Sequence, residues 1–431
     1  MSITSSRPGR RPTLAAGVAA IALAIVPSAG AKPLGVQLDG VTGARAVSDV
    51  AAAATTGGDA VRVEADWSLL EPYAHGAYDP AYEAALDRTV DAAAARGLKV
   101  LLFVDRSPCW ASSAPQRGDC AAPGANTFDV TRYGPKDPQD YVSVATHLAA
   151  RYGDKLGAFE VWNEPDQSNE KYWAGPDKVK RYVALTQAVY GPLKQASPNL
   201  PVLAGSFVGT DGAWLKAMYA AGVQGSYDGL AVHFYDLPLS ALKSTRAVQR
   251  AHGDTKPLWL TEFGWTSCLR AGGPTFRGDH PCTSKTAQAR GLSDIFRAVA
   301  KTSWIAGATM YALRDQTANY QFGLFDQRGG RKPSFTAVRG VLRAPRSGAV
   351  TRPSLRLRRS GRHVAASGSG SVADVYQVNV YQGTTLRYRV NLRTTGTGSY
   401  QVALPAVLGT SGLKVRISSL WSPGTATTRS N

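Results

Sequence analysis

Eight short apolar runs, each followed by a stretch of helical period, set the tightest limit on how this chain can fold. The runs are Leu34–Leu38, Ala60–Glu64, Lys99–Val104, Ala158–Trp162, Pro201–Ala204, Gly229–Phe234, Leu258–Thr261 and Ala308–Tyr311. Between the second and third, Pro80 to Arg96 opens on a proline and stops at Gly97. Within it Tyr82, Leu86, Val90 and Ala93 recur at helical spacing. Asp140 to Tyr152 behaves the same way and stops at Gly153. Alternation of this length specifies a parallel sheet with crossover helices, and eight such units close into a (β/α)8 TIM barrel of the α/β class. A doubly wound open sheet is the competing arrangement, but no Gly-x-Gly-x-x-Gly follows the first run. A barrel takes about 250 residues or more. A chain of 431 residues therefore has room for one further small module.

The pattern changes after Val341. A stretch rich in proline and arginine reads as a linker over 345–353. Short alternating strands follow at Leu355–Leu357, Asp374–Tyr381, Thr385–Leu392, Tyr400–Leu404 and Leu413–Ile417. They predict a small β-sandwich over 354–431, behind a barrel over 32–344. Charge divides along the same line. Residues 345–431 hold 12 Lys and Arg against the single acid Asp374, a net +11, while 32–344 carry only +4 of the chain's total of +18. In Thr385–Leu392, Leu386, Tyr388, Val390 and Leu392 alternate with Arg387, Arg389 and Asn391, and Arg393 continues the second set. The apolar set is expected to face a core and the arginines the outside. Arg356, Arg358, Lys414 and Arg416 follow the same rule. A solvated face is the ordinary reading of such charge. The asymmetry favours an anionic partner, such as a cell-envelope polymer or acidic polysaccharide, met through this basic face.

The first 31 residues read as an export signal. Arg7, Arg10 and Arg11 form a basic start, Leu14 to Val26 an apolar run, and Ala29-Gly30-Ala31 a small-residue cleavage site. The run is shorter than the roughly 18 residues that a membrane-spanning helix needs. A secreted protein, extracellular or associated with the cell wall, is expected, and a nucleic-acid partner is not. Export also gives the cysteines a meaning. Cys109, Cys120, Cys268 and Cys282 allow three disulfide pairings, of which the nearest-neighbour one, Cys109–Cys120 with Cys268–Cys282, closes two short loops. A metal site is the rival use, but no CxxC or HExxH spacing occurs and the six histidines are scattered. No cofactor or metal is implied, and a monomer is expected.

Chemistry concentrates at two strand ends. Phe159-Glu160-Val161-Trp162-Asn163-Glu164-Pro165 closes the fourth run and Leu258-Trp259-Leu260-Thr261-Glu262-Phe263-Gly264-Trp265 the seventh. Reactive groups of a barrel gather at the carboxyl ends of its strands. Glycoside cleavage needs one carboxylic acid to protonate the leaving oxygen and a second carboxylate to attack the anomeric carbon or activate water. Strands 4 and 7 face each other across the mouth and can hold that pair.

These segments resemble clan A of the glycoside hydrolases. Trp162-Asn163-Glu164-Pro165, Tyr172-Trp173-Ala174-Gly175-Pro176, Phe322-Gly323-Leu324-Phe325-Asp326 and Lys332-Pro333 are most similar to family 39 and its relatives, with cellulase-like family 5 next. The resemblance spans about 34–344. It implies a retaining O-glycosyl hydrolase acting on an extracellular polysaccharide or oligosaccharide, with Glu164 as acid/base and Glu262 as nucleophile. Asn163 would hydrogen-bond the sugar 2-hydroxyl, Arg62 would keep the nucleophile charged, and Tyr235 would hydrogen-bond it. Arg62 has a plainer alternative, pairing with Glu160 or Glu64 inside the barrel, and His233 is either a site residue or a satisfied core histidine. Among the aromatics near strand ends, Trp67, Trp110, Trp173 and Trp265, the last two are expected to stack on sugar faces, with core packing the alternative. Clan members commonly end strand 8 on a Trp beneath the reacting sugar. Here Met310-Tyr311-Ala312 stands instead. A non-catalytic carbohydrate-binding barrel and a surface adhesin acting through the basic tail are the rival functions.

Overall fold

A computed structural model of the chain describes residues 32–269, 276–277, 280–318, 320–343, 353–360, 363–369, 375–393, 399–409, 411–419 and 426–430. The export signal and nearly all of the linker lie outside them.

Strands β1 (Leu34–Gln37), β2 (Ala60–Asp66), β3 (Lys99–Asp105), β4 (Leu156–Val161), β5 (Val202–Phe207), β6 (Gly229–Tyr235), β7 (Leu258–Gly264) and β8 (Ile305–Met310) form a closed parallel barrel in sequential order, β1 pairing with β8. A long helix follows each strand: α1 (Ala46–Ala54), α2 (Pro80–Ala95), α3 (Pro138–Tyr152), α4 (Lys178–Ala196), α5 (Ala213–Ala220), α6 (Lys243–Ala251), α7 (Lys285–Lys301) and α8 (Pro333–Leu342). Local chemistry starts these helices where they are. The Asp79 carboxylate accepts from the Tyr82 N–H and Asp137 from that of Gln139, each just ahead of a proline whose missing N–H costs nothing there.

The barrel interior changes character along its axis. Ala60, Leu101, Ala158, Leu203, Ala231 and Trp259 plug the amino end. The Trp259 indole fits because Gly229 and Gly307 face it, and a β-carbon on Gly307 would come within 2.5 Å of the ring. One pleat higher the interior is polar and buried, with Arg62 and Glu160. Outward-facing Val61, Val63 and Ala65 pack instead on the helical ring, so the apolar core is a sleeve around the barrel.

The tail forms seven strands: β9 (Arg356–Ser360), β10 (His363–Ser369), β11 (Val375–Gln382), β12 (Thr385–Arg393), β13 (Ser399–Leu404), β14 (Leu413–Ser419) and β15 (Ala426–Ser430). They make a three-stranded sheet, β9-β10-β13, and a four-stranded one, β12-β11-β14-β15. Both contribute to one core, including Leu355, Val364, Tyr376, Val378, Val415 and Ile417. Two expectations need correction. Leu386 is 39% exposed, because the β11–β12 register shifts at Val380/Tyr381 beside the turn. The basic residues also do not share one face. With Leu355 and Val415 both turned inward, Arg356 and Arg358 lie on one outer face of the sandwich and Lys414 and Arg416 on the opposite one. Arg389 reaches the barrel, its Nη1 3.3 Å from Asp154 just ahead of β4.

Candidate active site

At the carboxyl ends of the strands a cavity of about 780 Å³ opens between the βα loops, and Asn163, Glu164, Tyr235 and Glu262 all line it. Arg62 sits beneath, fully buried, with its guanidinium 3.8 Å from the centre of the Phe103 ring. Its donors are divided among four acceptors: Nε to Glu160 at 2.7 Å, Nη1 to Glu262 and to Gln37 at 2.5 Å each, and Nη2 to Asn163 Oδ1 at 2.9 Å. Arg62 therefore pairs with Glu160 inside the barrel and with Glu262 at the cavity, and not with Glu64. The other Glu262 oxygen accepts from the Tyr235 hydroxyl.

Glu164 meets a different environment. It is 6% exposed and accepts from Gln167 and from His233 Nδ1, the latter at 2.9 Å. Burial pushes its carboxyl above the usual range and the nearby Glu262 charge adds to this, while His233 opposes both. His233 is wholly buried, and its Nε2 lies 3.0 Å from Thr261 Oγ1, which in turn donates to Glu160. Because that hydroxyl is spent on Glu160, Nε2 is the donor to Thr261, and Nδ1 is left facing Glu164. Burial alone would discharge the ring, but Glu262, Glu160 and Glu164 outweigh it and raise His233 to about 9. Glu160 shows the mirror image. Burial would raise it, yet Arg62 and His233 hold it down to about 2. It anchors the two cations and is not exposed to the cavity.

The backbone bends sharply to present these groups. Trp162 and Glu164 lie at φ 66° and 43°, in the left-handed region that side chains avoid. The Asp166 carboxylate accepts from the Val208 and Gly209 N–H groups, tying the loop after β4 to the one after β5. One oxygen each of Glu164 and Glu262 and one nitrogen of His233 lie within 4.8 Å of one another. Such a trio resembles a metal site by composition, but each member already has protein partners: His233 meets Thr261 and Glu164, and Glu262 meets Arg62 and Tyr235.

Two expected sugar platforms are elsewhere. Trp173 is 1% exposed, edge-on to Trp162 and Tyr182, and packs on Gly134 outside the cavity. Trp265 lies against Gly291 of α7, facing the helical sleeve. The aromatic walls are instead Tyr172, Tyr235, Tyr311, Tyr320 and Phe322. Tyr311 occupies the end of β8, its hydroxyl donating to Gln316 at 2.8 Å. The disulfides join Cys109 to Cys120 after β3 and Cys268 to Cys282 after β7, with Cα atoms 5.3 and 4.8 Å apart. The second closes the loop that carries His280 to the cavity wall.

Over residues 36–294 the sequence matches the family model described as cellulase, glycosyl hydrolase family 5. The chain belongs to that family. It is an O-glycosyl hydrolase of clan A with a carbohydrate substrate, and its barrel is the catalytic scaffold of a retaining enzyme. Solved structures share the fold of this glycosyl hydrolase at low identity. A family 39 glycoside hydrolase from Bacteroides cellulosilyticus WH2 matches with a TM-score of 0.56 at 16% identity, covering 86% of this chain and 81% of that one. A GH39 enzyme from Xanthomonas axonopodis pv. citri gives 0.55 at 17%, covering 88% and 93%. A monomeric beta-xylosidase from Caulobacter crescentus CB15 gives 0.54 at 15%, covering 87% and 95%. Both families that the motifs resemble thus recur, family 5 through sequence and family 39 through fold. No curated protein matches the chain.

Proposed function

We propose that the protein is a secreted glycoside hydrolase that cleaves an extracellular polysaccharide or oligosaccharide by double displacement, with Glu262 as nucleophile and Glu164 as acid/base. The observation that carries this reading is the contrast between two carboxylates within 4.8 Å. Retaining enzymes hold their carboxyl groups about 5–5.5 Å apart, whereas inverting ones leave room for a water. Glu262, which pairs with Arg62 and accepts from Tyr235, is held in place and aimed. Glu164, whose carboxyl burial raises, is the one suited to give up a proton as the acid. In the first step a Glu262 oxygen bonds the anomeric carbon while the Glu164 proton passes to the departing oxygen. In the second, Glu164 takes a proton from water, which displaces Glu262. Asn163, held by Arg62, turns its amide toward the sugar 2-hydroxyl. The test is the first-formed anomer, followed by proton NMR: retention is expected, and an inverted product would overturn the mechanism.

Export is supported by the basic start and apolar run of residues 1–31 and by two disulfides. Among the described residues no helix is long and apolar enough to cross a membrane. The basic module, on this reading, holds a monomeric enzyme to an anionic cell-envelope polymer.

A further inference from the structure

Beside the catalytic pair the cavity wall carries two further acids. Glu64 on β2 and Asp105 on β3 share the inward parity of Arg62 and Phe103 and line the same cavity. Asp105 is 1% exposed, no described N–H or hydroxyl reaches its oxygens, and the side-chain partner it has is Glu64. Its neighbour Arg106 stands at φ 63° and lays its guanidinium 3.3 Å from Glu64, and 5.5 Å from the centre of the Tyr172 ring. Arg106 thereby holds Glu64 in place and makes no hydrogen bond to Asp105.

The geometry points to Glu64 and Asp105 as a specificity subsite that reads two adjacent hydroxyls of a neutral sugar, the 3- and 4-hydroxyls of the ring whose anomeric carbon faces Glu262. The placement follows from ring order. Asn163 on the β4 end takes the 2-hydroxyl in the function proposed above, on which this inference rests. The next hydroxyls round the ring then meet the next strands round the barrel, β3 and β2. The chemistry also fits. Burial first, and the Glu64 charge next, push the Asp105 carboxyl well above the usual range, which favours its protonated form beside Glu64. A neutral acid beside a carboxylate offers donor and acceptor together, which matches a diol, each hydroxyl being both. A sugar carboxylate at this position would meet Glu64 and Asp66 and find only Arg106, already engaged.

The test uses the full chain with the 4-nitrophenyl β-glucoside or β-xyloside, whichever wild type cleaves, and its 3-deoxy counterpart. Sites built to bond a hydroxyl discriminate steeply against its loss, so wild type should prefer the parent about 100-fold or more. Asp105→Leu should lower kcat/KM roughly 30-fold on the parent and less than about 3-fold on the deoxy substrate, while Asp105→Asn, which keeps donor and acceptor, recovers most of the loss. Equal losses on both substrates, with unfolding temperature unchanged, would overturn the subsite. Should Asp105→Leu not fold, Glu64→Gln, at a half-exposed position, gives the same comparison. If wild type cleaves no glycoside, the proposed function fails, and calorimetric binding of glucose against 3-deoxyglucose decides the subsite separately: preference for glucose upholds it, and equal binding or none rejects it.

Discussion

Glu262 and Glu164 differ chiefly in what surrounds them, and their substitutions should differ accordingly. Glu262→Gln is expected to abolish turnover, because an amide cannot form the covalent intermediate. Glu164→Ala should lose far more rate on alkyl glycosides than on dinitrophenyl ones, since only poor leaving groups need a proton; steady-state rates across a leaving-group series check this. His233 sets the pH at which that proton is available. As an imidazolium 2.9 Å from Glu164 it favours the ionised carboxylate. Its removal in His233→Asn should therefore raise Glu164 further and move the alkaline limb of kcat/KM upward, by about one unit or less if the charge is largely screened. A downward move would contradict the hydrogen-bond assignment. These residues were legible because each ends an apolar run in an inward position. Trp173 and Trp265 were misread because an aromatic side chain does not announce its direction. Trp265 lies one residue past the end of β7, where strand alternation no longer fixes its direction, and it turns toward α7.

At the scale of elements, all eight barrel strands stand where the apolar runs lie, but several extend further at their carboxyl ends, β2 to Asp66 and β3 to Asp105. Those extensions are polar because they form the cavity wall, so hydrophobicity stops short of the strand just where function begins. In the tail, β10 and β15 escaped notice for another reason. The sequences His363–Ser369 and Ala426–Ser430 are small and polar, and only pairing with β9, β13 and β14 makes them strands. The loop after β7 is held by chemistry that is easily removed. Its disulfide spans 14 residues, for which chain entropy gives about 3 kcal/mol. Cys268→Ser paired with Cys282→Ser should lower the unfolding temperature by a few degrees and raise KM several-fold, because His280 in this loop borders the cavity. Calorimetry and steady-state kinetics with and without reductant provide the check.

For the whole molecule, charge and catalysis occupy separate bodies. Removal of residues 345–431 should leave kcat/KM on a soluble substrate within about two-fold, since none of the module's described residues lines the cavity. Retention on isolated cell walls should fall with the module. In the intact protein it should weaken steeply with salt, as screening shortens the reach of exposed charge to about 8 Å at physiological ionic strength. Arg356→Ser with Arg416→Ser removes one charge from each outer face of the sandwich, and each alone should lower retention. Retention insensitive to salt and to both changes would reject an electrostatic mooring. The division into barrel and module was legible from charge and pattern alone. The two-sided spread of the arginines was not, because alternation along a strand tells inside from outside but not which outside.

The contact between Arg389 and Asp154 gives the enzyme a heading. Asp154 precedes β4, at the end of the barrel opposite the cavity, and a strand of six residues spans about 20 Å. A molecule berthed by its module would turn its open end to the surrounding fluid and its closed end to the envelope. Such a posture suits trimming chains that drift or project past the cell, and it spares the polymer that serves as the berth.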